Sequence, residues 1–123
     1  MSTATATTAA PSRTPLACVA DAIPASERAR HLALLTRLFT TAVAERRDVP
    51  GGYLYRFDAA ALDDVARWIA NERRCCPFLA FALEVGPDDA PLRLCITGPE
   101  GTRELLDAEL HGRVRADDAR GPS

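Results

Sequence analysis

Adjacent thiols suit soft metal ions, and this chain carries one such pair, Cys75-Cys76, followed directly by Pro77. With Leu62, Val65, Ala66 and Ile69 placed on one helical face at about 100° per residue, Cys76 falls near the middle of that face. Glu72 and Arg73 flank it, and Cys75 points further out. Pro77 cannot continue the helix without losing a hydrogen bond, so both thiols belong to the last turn. Cys75 and Cys76 are therefore candidate ligands for a thiophilic ion such as Cu(I) or Hg(II), with Glu72 and Arg74 as supporting groups around them.

Other chemistry fits the same residues. Cysteine is among the most buried residue types, so Cys76 could simply fill a core position. A vicinal disulfide is strained and easily reduced, which would make a redox switch. A structural zinc site wants about four ligands, whereas the chain has no C-x-x-C spacing, two isolated histidines, and Cys18 and Cys95 as distant candidates. The arginines beside Cys75 favour a thiolate and the negative helix end opposes one, so the sequence does not set the sign of its pKa shift. Glu72 either pairs with Arg73 or another arginine, the common fate of a flanking acid, or accepts a proton from Cys76 one turn away. Trp68 reads as a core aromatic, and neither His31 nor His111 has a nucleophile beside it in sequence. Gly98 and Gly101 flank a helix start, without a phosphate-loop or dinucleotide motif.

The elements that must position these groups follow from composition and pattern. At 123 residues and 47% hydrophobic content, one domain with a real core is expected over 16–111. A formal charge of −2, with every basic residue an arginine interspersed among acids, argues against nucleic acid. No export signal or run of about 18 apolar residues is present, which points to a cytoplasmic chain off the membrane, with its cysteines reduced. Residues 1–15 are Ser, Thr, Ala and Pro with one charge and read as a disordered tail, and 112–123 as a polar one.

Pro24 opens a first helix, predicted to run to about Arg47, with His31, Leu35, Leu38, Phe39 and Ala42 inward. Asp48-Val49-Pro50-Gly51-Gly52 ends it as a loop, and Tyr53 to Phe57 alternates as a first strand. Asp58 is a suitable N-cap for the helix that carries the cysteines. Leu79 to Val85 and Leu92 to Thr97 read as a β-hairpin around the turn residues Gly86 to Pro91. Thr97-Gly98-Pro99-Glu100 has capping-box spacing and opens a last helix to about Leu110. The order is helix, strand, helix, strand, strand, helix: a small α+β domain whose short mixed or antiparallel sheet is covered by helices. Leu79, Phe81, Leu83 and Val85 share a face with Leu92, Leu94 and Ile96. The opposite face, with Ala80, Ala82, Arg93 and Cys95, is small enough to expect cover from the first helix or from a second subunit.

The segment Glu72-Arg73-Arg74-Cys75-Cys76-Pro77-Phe78, with Ala22-Ile23-Pro24 upstream and Thr97-Gly98-Pro99-Glu100-Gly101 downstream, resembles small uncharacterised bacterial proteins marked by E-R-x-C-C-P-F and T-G-P-E-G. The resemblance spans about Cys18 to Leu110, implies kinship and carries over no catalytic residue. Cys95 stands where that group is expected to have an ordinary apolar strand residue. The function expected from the residues is a soft-metal or thiol-responsive binding protein using Cys75 and Cys76. The rival is a protein-interaction or homodimerisation module with structural cysteines. A small thiol-dependent enzyme is the third class, without a positioned base or cleft legible in the sequence.

Overall fold

In the computed structural model, which describes residues 18–111, four strands form one antiparallel sheet in the order β1-β2-β4-β3. The strands are β1 (Val43–Val49), β2 (Gly52–Phe57), β3 (Ala80–Glu84) and β4 (Leu92–Thr97), and the helices α1 (Ala25–Arg37), α2 (Leu62–Cys75) and α3 (Thr102–Leu106). This is the α+β arrangement expected. The predicted tails at 1–15 and 112–123 lie outside the described residues. Among the described residues no helix is long and apolar enough to cross a membrane.

One strand was not anticipated. The predicted first helix stops at Arg37, passes through a π-helical turn over Leu38–Ala42, and gives way to β1 instead of reaching Arg47. Val43 to Val49 is charged and exposed in its middle, so helical and extended readings bury equally little there. Pairing decides the matter. β1 closes a hairpin with β2 across Pro50 and Gly51, with Val49 opposite Gly52, and Gly51 takes a positive φ of 81°. Proline then left-handed glycine is the chemistry of a type II turn. The expected loop is thus a tight turn, and Tyr53 to Phe57 is the second strand.

The hairpin of β3 and β4 has the expected register, with Phe81 opposite Ile96 and Leu83 opposite Leu94. Val85 lies past the end of β3 and is exposed. On the covered face Tyr53, Tyr55, Phe57, Leu92, Leu94 and Ile96 are buried against Leu38, Phe39, Val65, Trp68, Leu106 and Leu110. Phe39 sits edge-on to Tyr55, Phe57 and Trp68 at 5.1, 5.7 and 5.0 Å between ring centroids. Such pairs add to the burial of their area. α1 packs on this face beside α2 and leaves the other open, so the expected cover of Ala80 and Ala82 by the first helix is not found. Ala80, Ala82 and Arg93 are exposed and Cys95 is half-buried.

Of the two caps expected from the sequence, one is found and the other is not. Asp58 does cap: its carboxylate accepts from the Ala60 N–H at 3.2 Å, starting a 3-10 turn over Ala59–Ala61 that feeds α2. Thr97 does not cap. It remains in β4, paired with Gly52 and Ala80, and α3 begins after Gly101. A Cβ on Gly52 would stand 1.8 Å from the Ile96 carbonyl oxygen. Gly52→Ala is therefore expected to prise β2 from β4 and lower the melting temperature well beyond the few degrees per kcal/mol of an ordinary surface change. A melting curve unchanged by that substitution would contradict the register.

Candidate thiol and metal centre

The cysteine helix ends as its sequence requires. The Cys76 N–H still donates to the Glu72 carbonyl at 2.8 Å, but Cys76 has left helical geometry (φ −127°, ψ 70°) ahead of Pro77. The chain before α1 then folds back over this end, with the Val19 N–H donating to the Cys75 carbonyl at 2.7 Å and Ile23 buried. That return brings Cys18 to the site. Cys18 and Cys76 form a disulfide, with their Cα atoms 4.7 Å apart across 58 residues of sequence. The expectation of uniformly reduced cysteines is thereby corrected, and so is the idea of a vicinal bridge. Cys75 remains a free thiol, its sulfur 3.6 Å from that of Cys76.

Helical phase placed Cys76 inward, and it is fully buried. The same phase placed Cys75 further out, yet Cys75 is also buried, because the Cys18–Ile23 segment covers the side of α2 that would otherwise face water. Phase describes one helix and is blind to what packs on it.

Glu72 completes the cluster. Its Oε1 lies 3.8 Å from the Cys75 sulfur and its Oε2 3.3 Å from the Cys76 sulfur. The Cys75 thiol can donate to the first. Cys76 carries no hydrogen while it is in the disulfide, so the second approach is a contact between oxygen and sulfur. Neither Arg73 nor Arg74 takes Glu72 as partner; the carboxylate instead accepts from the Nε2–H of buried His31 at 2.9 Å, across from α1. The other ring nitrogen of His31, Nδ1, is buried without a hydrogen-bond partner among the described residues. His31 stacks on Trp68 with ring planes 6° apart.

The arrangement therefore gathers one ligand atom each from Cys18, Glu72, Cys75 and Cys76 within 4.8 Å of one another. Of the residues singled out by sequence, Cys75, Cys76 and Glu72 meet here. Arg74 is exposed and its guanidinium lies 3.5 Å from Asn71 Oδ1. Cys18 joins the cluster and Cys95, on the open sheet face, does not. No local signal marks Cys18; the short apolar lead of Cys18, Val19 and Ile23 before Pro24 is the only hint that this segment packs down.

A cleft of about 360 Å³ opens over the cluster, lined among others by Cys18, Cys75, Glu72, His31, Leu32 and Glu109. Burial, and then the negative charge of Glu72, pushes the Cys75 thiol up to about 12. Two consequences follow. Iodoacetamide at neutral pH is expected to label Cys95 well before Cys75, as read by peptide mass mapping of the native protein, because alkylation needs a thiolate. And since unfolded Cys75 ionises near its ordinary value while the folded one holds its proton, its contribution to stability is present below about pH 9 and lost as pH rises toward about 12. Denaturation of Cys75→Ser should fall less steeply than wild type over that window; parallel curves would refute the shift.

The site and fold together define a small α+β protein with a cluster of half-buried Cys18 and buried Glu72, Cys75 and Cys76 beneath a cleft. Comparison with protein-family models, curated proteins and solved structures finds no significant match to the chain.

Proposed function

We propose that this chain is a thiol-responsive binding protein for thiophilic metal ions, closed while Cys18 and Cys76 are bonded and open once they are reduced. The observation that carries the reading is the convergence of three sulfurs and the Glu72 carboxylate within 4.8 Å from two separate parts of the chain. In the disulfide state only Cys75 can offer a thiolate, and a metal would have one strong soft ligand. Two electrons and two protons from a reductant convert the pair to thiols, and then Cys18, Cys75 and Cys76 can bind together. Three thiolates select Cu(I), Hg(II) or a similar soft ion over oxygen-preferring cations. The proton that keeps Cys75 neutral is displaced by the metal, as for any thiolate site. Glu72 and Glu109 at the cleft supply negative potential that favours entry of a cation.

Native mass spectrometry of oxidised and dithiol-reduced protein titrated with Hg(II) tests the reading. One ion per chain is expected on the reduced form, surviving competition by a monothiol, and none on the oxidised form under the same competition. Equal uptake by both forms, or none by either, would defeat it. A dimerisation role for the open sheet face finds support in the exposed Ala80 and Ala82 alone, and the same spectra report subunit count.

A further inference from the structure

Only one end of the disulfide is accessible. Cys18 is half-buried and lines the cleft, whereas Cys76 is fully buried and does not. A thiol arriving from solvent meets the Cys18 sulfur first, with Cys76 behind it as leaving group. Cys75 also lines the cleft, within 4.8 Å of the Cys18 sulfur and 3.6 Å from that of Cys76. The three sulfurs thus have different access: one open to attack, one placed to leave, and one free thiol beside both.

From this geometry we infer that the cleft is a substrate site for small uncharged or cationic thiols, which exchange with the disulfide at Cys18 and are then expelled by Cys75. The inference rests on the redox-gated reading above and adds the co-reactant and the order of events. In the first step the incoming thiol sulfur bonds to Cys18 and the Cys18–Cys76 bond breaks. Its electron pair goes to Cys76, and the proton given up by the incoming thiol ends on Cys76, next to Glu72 Oε2 at 3.3 Å. In the second step the Cys75 sulfur, slow toward reagents in solution but held within 4.8 Å of Cys18, attacks the same Cys18 sulfur as its proton moves toward Glu72 Oε1. The small thiol leaves with the electron pair of the broken bond, and the proton of Cys75, held beside Glu72 Oε1, passes to it. Reactant thiol is regenerated, and the disulfide has moved from Cys18–Cys76 to Cys18–Cys75. A dithiol diverts the second step: its other sulfur attacks its own mixed disulfide, leaving as a cyclic disulfide and freeing all three cysteines for a metal.

The ligand class follows from charge and size. Among the described residues Glu72 and Glu109 line the cleft, and the one guanidinium there, that of Arg28, is already engaged with the Ile23 carbonyl at 3.0 Å and with Asp21 at 3.5 Å. An anionic thiol would meet net negative charge. The apolar walls from Ile23, Leu32 and Leu35 suit a short carbon chain, and a folded protein is too large for the cleft.

The experiment uses cysteamine as probe on the oxidised full-length chain, with acid quenching and peptide mapping under non-reducing conditions. In Cys75→Ser, cysteamine is expected to accumulate as a mixed disulfide on Cys18. In the wild type that adduct should be scarce and a Cys18–Cys75 linkage should appear in its place. An adduct on Cys76, or equal adduct levels in both proteins, overturns the assignment. Leu32 is 45% exposed and lines the cleft, so Leu32→Trp can obstruct the cleft without disturbing the core and is expected to slow exchange about tenfold, while Arg93→Ala on the opposite sheet face leaves it unchanged. Equal slowing by both, or by neither, removes the cleft from the mechanism. 2-Mercaptoethanesulfonate, compared per thiolate, should react more slowly than cysteamine; the reverse order contradicts the charge argument. Hg(II) uptake by chemically reduced wild type is read separately, so exchange can fail while metal binding stands, and the converse.

Discussion

In the reduced protein, Cys75→Ser combined with Cys76→Ser is expected to weaken Hg(II) or Cu(I) binding on the order of a thousandfold or more, because hydroxyls are poor ligands for soft ions. Two of the three sulfurs in the cluster are removed, leaving Cys18 and Glu72. Stability should change less when both proteins are compared in the reduced state. Each buried hydroxyl costs about 1–3 kcal/mol if it finds no partner, and the Glu72 carboxylate stands ready to accept from either serine. The control is Cys95→Ala. Cys95 pairs with Leu54 and Ala82 on the open side of the sheet, so its loss should leave affinity intact. Competitive titration against a monothiol gives the ratio. If the double variant retains the wild-type affinity, the cluster is not the site, and if Cys95→Ala loses it, the donor set is different.

How much of this was legible beforehand depends on the range of the interaction. The β3 and β4 hairpin, the Asp58 cap and the burial of Cys76 follow from local periodicity and turn residues, and they were readable. The β1 strand was not, because Glu45, Arg46, Arg47 and Asp48 hold no apolar alternation and the segment is a strand only through its pairing with β2. The same limit applies at the site. Glu72 as neighbour of a thiol was a visible alternative from its one-turn spacing, but the preferred arginine partner lost to His31, 41 residues away. Cys18 is further still, and the disulfide depends on a chain return that no short-range pattern encodes. A buried carboxylate between thiols and a histidine is also a local conflict with the rule that acids stay exposed. Such conflicts mark functional sites more often than core ones.

Reduction of the Cys18–Cys76 bond is expected to lower stability by about 4 kcal/mol, the chain-entropy value for a closed loop of this size. The bond spans 58 residues, including α1, β1, β2 and all of α2, so its loss frees a large part of the unfolded chain. Against a typical total of about 5–15 kcal/mol, the reduced protein would be folded but weakened. A metal ion held by Cys18, Cys75 and Cys76 re-ties the same two chain segments. By mass action, free ion at about a thousand times its dissociation constant returns about 4 kcal/mol, as much as the disulfide supplied. Urea denaturation of oxidised, reduced and reduced Hg(II)-loaded protein should therefore give midpoints that fall and then recover, while Cys18→Ser should start near the reduced value and recover far less. A reduced protein as stable as the oxidised one would show that the bridge does not constrain the chain. Full recovery in Cys18→Ser would show that the metal does not use Cys18, and that the two states of this site do not share a cross-link.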